Sequence, residues 1–183
     1  MNYLEKFRDI KTFIFDVDGV LTDSSLYLLE NGHMLRKMNT RDGYAIKRAL
    51  QEAYRVAIIT GGQSSGVIQR LRKLGIVDIY SGISDKKDAL DEYLYTYDID
   101  AGEVLYMGDD MPDYEVMRQV GLPACPTDAA HEIVAISQYI SPVKGGHGCV
   151  RDVIERTMRI QSCWLTSQQN PQLSAPNNSE LPS

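Results

Sequence analysis

The sequence predicts an α/β fold: three layers, with a parallel sheet in the middle and helices on both faces. Short apolar, β-branched runs recur along the chain, and between them lie stretches whose apolar residues fall at helical spacing. Strand, helix, strand, helix in that alternation is satisfied when the helices are the crossovers between parallel strands. A further observation marks the working edge of the sheet. Acidic and hydroxyl residues stand where the strands end, and in open α/β sheets ligands sit outside the carboxyl ends of the strands.

Taken in order, the first strand is KTFIF (11–15). It runs into DVDGVLTD, where Asp16 and Asp18 stand one residue apart. Two like charges at the mouth of a core repel each other and are costly to desolvate unless something positive joins them, and a metal ion meets that need. After Asp23, SLYLLE and HMLRKMN read as two strands joined by Asn31-Gly32, the strongest short hairpin signal, so a β-hairpin flap is expected over the same edge. TRDGYAIKRALQEAY (40–54) reads as a helix leading to the strand RVAII (55–59). SSGVIQRLRKL places Val67, Ile68, Leu71 and Leu74 at helix spacing, with Gly75 where a C-terminal cap belongs. DIYS (78–81) is a strand, and KKDALDEYLYTY a helix with Ala89, Leu90, Tyr93, Leu94 and Tyr97 inward. EVLYM (103–107) and QYIS (138–141) complete the predicted sheet. The stretch 167–183 is poor in large apolar groups and rich in Pro, Ser, Asn and Gln, which predicts one domain over 1–166 followed by a disordered tail.

Composition narrows the function. The chain has 183 residues, 43% hydrophobic and 24% charged, which suits a single globular domain with a sizeable core. Its formal net charge of −6 argues against nucleic-acid binding by bulk electrostatics, so an anionic substrate must meet cations gathered locally. Charges interrupt the first residues where a signal peptide would be apolar, and no segment approaches the ~20 apolar residues that span a bilayer. Three widely spaced cysteines, Cys125, Cys149 and Cys163, are an odd set unsuited to zinc and read as reduced thiols of a cytoplasmic protein.

The polar residues at the predicted strand ends form one set. They are Asp16 and Asp18 after the first strand, Thr60 with Gly61 and Gly62 after the second, and Asp109, Asp110 and Asp113 in GDDMPD, with Lys86 opening a helix. Such an oxygen-rich cluster suits Mg²⁺, which takes few carboxylates and keeps water or phosphate oxygens. A calcium loop would need acids where Val20 and Tyr27 stand. A phospho-receiver domain would have no use for the second aspartate or the hairpin. The third reading is phosphoryl transfer to an aspartate, followed by hydrolysis.

DVDGVLTD, TGG, Lys86 and GDDMPD, in that order, resemble the four motifs of the haloacid dehalogenase superfamily of phosphatases, and so imply a Rossmann-like sheet. The resemblance implies that Asp16 is the nucleophile and Asp18 the acid and base. It gives Mg²⁺ to Asp16, the backbone carbonyl of Asp18, and Asp109. It implies that Thr60 and Lys86 hold the phosphoryl group, with Asp110 and Asp113 as outer partners of the metal and the lysine. No room remains for a cap domain, since the hairpin, one helix and one strand use up 24–59.

The stretches MNTRDGYAIK, IITGG, LYMGDDMPDYEVMRQVGLPACPTDA and KGGHGCVRDVIE also resemble the capless branch that includes 3-deoxy-D-manno-octulosonate 8-phosphate phosphatase. That resemblance implies a phosphorylated sugar acid as substrate in lipopolysaccharide precursor synthesis, with a nine-carbon acid 9-phosphate as the alternative. From another class, a non-catalytic phosphate-binding regulator would keep the fold without needing Asp16 and Asp18. The resemblance further implies substrate contacts at Asn39, Thr40, Arg41, Asp42, Gly43, Lys47, Gly61, Gly62, Arg70 and Lys86, and a homo-oligomer, as a tetramer. The chain departs from some relatives, which carry Arg at the places of Gly62 and His147.

Overall fold

The computed structural model describes residues 3–165. A short helix, α1 (Tyr3–Lys6), leads into β1 (Thr12–Phe15), which the pairs β2 (Tyr27–Leu28) and β3 (Met34–Leu35), then α2 (Thr40–Gln51), follow. Next come β4 (Arg55–Thr60), α3 (Ser65–Leu74), β5 (Asp78–Ser81), α4 (Lys86–Tyr97) and β6 (Val104–Met107). The chain continues through α5 (Tyr114–Met117), β7 (Leu122–Cys125), α6 (His131–Ile136), β8 (Tyr139–Ile140) and α7 (Cys149–Ile160). Six strands form one parallel sheet in the order β5-β4-β1-β6-β7-β8. The α/β three-layer expectation holds, and the tail 167–183 lies outside the described residues.

The period-two alternation of the strands sorts the core into two layers. Phe13 and Phe15 of β1 point to the face that α2, α3 and α7 cover through Ile46, Leu71 and Ile154. Ile14, between them, points to the face covered by Leu90 and Tyr93 of α4, Met117 of α5 and Ile133 of α6. Each fully buried aliphatic or aromatic side chain contributes roughly 1.5–3 kcal/mol, so the central strand is held from both sides. Register then aligns the strand ends: Phe15 lies level with Ile58 of β4 and with Met107 of β6. Asp16, Thr60 and the Gly108–Asp113 turn therefore leave the sheet along one edge.

Three local expectations change. Strand β7, LPAC, was not legible as a strand, because Pro123 breaks the pattern; it is tolerated because β8 pairs only from Ala124 onward, while the Pro123 carbonyl accepts Gln138 N–H at 2.9 Å. Helix α7 also went unread, although Val150, Val153, Ile154, Thr157 and Met158 are its buried face. In the hairpin, Tyr27 pairs Leu35 and Leu28 pairs Met34, so the connection is not a two-residue Asn-Gly turn. Leu29 N–H donates to His33 O and Gly32 N–H to Leu29 O, a three-residue loop with Gly32 left-handed at φ +81°.

Helix α2 carries several of the residues expected to touch substrate, and the fold gives some of them structural work. Asn39 is its N-cap, accepting Arg41 N–H at 2.8 Å. Asp42 is 1% exposed, and its carboxylate accepts the Arg151 N–H at 2.7 Å. It thus caps α7, whose own N-cap, Gly148, has no side chain to offer. Gly43 is buried where a Cβ would stand 2.8 Å from Arg70 Nη2, so its smallness lets α3 approach α2. Asp42 and Gly43, expected to touch substrate, carry these contacts within the fold.

Burial pushes the Asp42 carboxyl up to about 6, against the pull of the Arg151 amide and charge. A group raised on folding adds stability that is full below its unfolded value and is lost as pH rises through the folded one. Asp42→Asn keeps the acceptor and removes the buried charge, so its stability relative to the native chain should rise between pH 4 and pH 7. Asp42→Ala, which deletes the cap, should destabilise by about 1 kcal/mol. Urea unfolding at both pH values checks the pair; a flat difference for Asp42→Asn would contradict this reading.

Candidate active site

Lys86 is the centre of the sheet edge. It opens α4, is 5% exposed, and sets its Nζ 2.7 Å from Asp113 Oδ1 and 3.0 Å from Asp16 Oδ2. Burial would push the ammonium down, but the charges of Asp113 and Asp16 outweigh it and hold Lys86 above its ordinary range. Asp113 is itself fixed on three sides: Tyr106 OH donates to Oδ1 at 2.7 Å, and the Asp109 N–H to Oδ2 at 3.2 Å. Asp16 spends its other oxygen on the Val17 N–H at 2.7 Å.

Asp109 completes the group. Carboxylate oxygens of Asp16, Asp109 and Asp113 lie within 4.8 Å of one another. Asp109 Oδ1 is buried with no hydrogen-bond partner. Burial, then the charges of Asp16 and Asp113, push Asp109 up to about 8, and burial with Asp113 pushes Asp16 to about 6 despite Lys86. Three carboxylates against one lysine leave the set short of positive charge, and an orphaned acceptor on one of them is what a cation would satisfy. An all-oxygen donor set of this charge suits Mg²⁺.

The wide turn Val17–Leu21, closed by Thr22 N–H on Val17 O at 3.0 Å, carries the second aspartate. Gly19 is left-handed there at φ +95°, and a Cβ on it would stand 1.9 Å from Asp109 Oδ2. Only glycine lets the two acidic loops meet. Asp18 is not part of that close group: its two oxygens take Arg36 Nε at 2.7 Å and Nη2 at 3.1 Å, a bidentate fork from the strand end of the hairpin. Thr60, 5% exposed, ends β4, and its Oγ1 accepts the Gly62 N–H at 3.2 Å.

The structure thus brings together Asp16, Thr60, Lys86, Asp109 and Asp113, with Asp18 beside them, and Gly61 and Gly62 on the next turn. Asp110 is exposed and caps the following turn through Met111 N–H at 2.8 Å. Arg70 lines a groove of about 470 Å³ between the hairpin and α3, shared with Arg36, Met34, Leu35 and Met38. Arg41 lines a different cleft with His147 and Arg151, while Thr40 and Lys47 are exposed along α2. Arg41 and Arg70 thus line different clefts. His147 binds the Gly145 carbonyl at 2.7 Å, as a loop histidine does. Sequence reasoning missed Tyr106 and Arg36. A tyrosine in a buried strand two residues before the acidic turn carries a weak signal; the arginine carries none without the hairpin's position.

Residues 71–153 match the model of the haloacid dehalogenase-like hydrolases. The chain is 39% identical over 158 residues to the 3-deoxy-D-manno-octulosonate 8-phosphate phosphatase of Salmonella typhi, covering 86% of this chain and 84% of that protein. The crystal structure of the Yersinia pestis phosphatase of that name superposes with a TM-score of 0.87 at 36% identity, over 89% of this chain and 88% of the other. That from Moraxella catarrhalis, in complex with magnesium ion, phosphate ion and KDO, gives 0.86 at 32% identity, over 88% and 93%. The chain belongs to the 3-deoxy-D-manno-octulosonate 8-phosphate phosphatase family, phosphoric monoester hydrolases of the haloacid dehalogenase-like class.

Removing the bridging cation tests the electrostatics of the edge. Lys86→Met leaves two buried carboxylates facing each other and should lower unfolding stability by about 3–5 kcal/mol at pH 7 in chelator. Urea denaturation measures it, and a loss below about 1 kcal/mol would show that Lys86 does not hold the edge together.

Proposed function

We propose that the protein hydrolyses 3-deoxy-D-manno-octulosonate 8-phosphate to the free sugar acid and phosphate through an aspartyl-phosphate. The observation that carries this reading is the joining of Asp16 to Lys86 beside Asp109 and Asp113, with Asp18 one residue beyond. In this mechanism Asp16 attacks phosphorus while Asp18 gives its proton to the leaving sugar oxygen. Asp18 then takes a proton from water, whose oxygen attacks the phosphorus of the aspartyl-phosphate, releasing phosphate and restoring Asp16. Lys86 offsets the charge on the phosphoryl oxygens, and Thr60 with the Gly61 and Gly62 amides donates to them. Magnesium, held by Asp16, Asp109 and the Asp18 carbonyl with Asp113 alongside, screens carboxylate from phosphate and polarises the phosphoryl group when bound.

Arg70, in the groove under the hairpin, is the cation placed to meet the carboxylate of the sugar acid. Arg41, which lines the other cleft, fits that role from a neighbouring subunit. A homo-oligomer, as a tetramer, also suits the hairpin, whose Leu26, Tyr27, Leu28, Leu29, Met34 and Leu35 are 43–73% exposed. One phosphatase domain over 1–166 accounts for the two core layers. Among the described residues the three cysteines are free thiols and no helix is long and apolar enough to cross a membrane, which fits a cytoplasmic enzyme.

The test is a panel of phosphoesters with Mg²⁺. The eight-carbon acid 8-phosphate should exceed p-nitrophenyl phosphate and the nine-carbon acid 9-phosphate in kcat/KM, and Asp16→Asn should abolish turnover while the fold persists. Preference for the nine-carbon ester would move the substrate, and near-native activity of Asp16→Asn would remove the mechanism.

A further inference from the structure

The fork between Arg36 and Asp18 has no role in the mechanism above, yet it occupies the acid/base. Both Asp18 oxygens are taken, at 2.7 and 3.1 Å, by a guanidinium whose side chain is only 7% exposed. The arginine stands over a small cavity of about 10 Å³ lined by Thr60, Gly62, Val67, Ile68 and Leu71, so its stem is packed and its head is aimed at the sheet edge. Gly62 makes the space: a Cβ there would stand 2.9 Å from Asp18 Oδ2 and 3.3 Å from Arg36 Nη2. The same glycine follows Thr60 on the turn that faces the phosphoryl group.

We propose that Arg36 is a phosphate-binding residue of this site, held on Asp18 while the site is empty and transferred to the phosphoryl oxygens of an arriving phosphomonoester. Charge favours the exchange. Four carboxylates, Asp16, Asp18, Asp109 and Asp113, set against Lys86 and one divalent ion leave an excess negative charge that repels a phosphate dianion. Arg36 cancels it. A guanidinium fork matches phosphate as well as carboxylate, so the arginine trades one bidentate partner for another of higher charge. Asp18 is thereby freed to take a proton from solvent, and to give it to the leaving oxygen, only when an anion is in place. The hairpin, which is otherwise a two-stranded element with little to pack on, gains a function as the arm that carries the arginine.

The inference rests on the phosphatase reading for its chemistry, but its test reads binding without turnover. Inorganic phosphate is titrated calorimetrically into the full chain with Mg²⁺ present, and KM and kcat are taken for p-nitrophenyl phosphate. Arg36→Ala should weaken phosphate ten- to hundredfold and raise KM in parallel, with kcat falling less. Arg36→Lys, which keeps the charge and loses the fork, should fall between. Gly62→Arg alone should lose affinity, because two guanidinium groups would compete for one place; Arg36→Ala with Gly62→Arg should bind phosphate better than Arg36→Ala. A phosphate affinity for Arg36→Ala within twofold of the native chain would overturn the proposal, as would a double variant no better than Arg36→Ala. A native chain that binds phosphate through Arg36 but ignores the sugar acid phosphate would leave this inference standing and remove the substrate assignment.

Discussion

The rest of this structure depends on one compensation of charge: the Lys86 ammonium lying between Asp16 and Asp113 at the end of a buried sheet. Carboxylates so placed are costly unless paired, and pairing at 2.7–3.0 Å fixes the lysine, both acids and the loops that carry them. Tyr106 tightens the arrangement from within the sheet, donating to Asp113 from a fully buried position. What Lys86 leaves uncompensated is Asp109, whose Oδ1 has no partner. The site is therefore stable as a fold and incomplete as an electrostatic object. A protein surface that is short of one divalent cation and then open to an anion is suited to phosphate chemistry.

Topology explains how three carboxylates come so close in a chain of ordinary composition. The first strand is central, between β4 and β6, so the loop after it meets the loops after both neighbours. Gly19 permits the closest of these meetings, with Asp109. The Lys144–Gly148 loop closes over the same turn, Gly146 N–H donating to Val20 O at 2.9 Å, and Asp42 holds the start of α7 that follows it. Residues far from the acids thus shape their loop, and Asp42 belongs to that frame.

The fold class was legible because β1, β4 and β6 are short apolar runs separated by amphipathic helices, and period decides both. β7 was hidden by Pro123, whose tolerance depends on how far β8 extends, a tertiary fact. The hairpin was legible as a hairpin, but its register was set by Tyr27–Leu35 pairing and not by the Asn-Gly signal alone. In the site, Asp16, Thr60, Lys86 and Asp109 could be picked out as strand-end residues. The capping roles of Asp42 and Asp110 were not read, since a carboxylate that caps a helix and one that faces a ligand look alike in sequence. Arg36 could not be found, because nothing in a sequence says which hairpin cation reaches back to Asp18.

The central claim is that Asp16, Asp109 and Asp113 form one divalent-cation site. Calorimetric titration of Mg²⁺ into the chelator-treated full chain, native and Asp109→Asn, measures this most directly. The account predicts a single saturable Mg²⁺ site in the native chain that Asp109→Asn weakens at least tenfold, since it removes the unpartnered charged donor. Equal Mg²⁺ affinity in the two proteins, or no binding in the native chain, would contradict it.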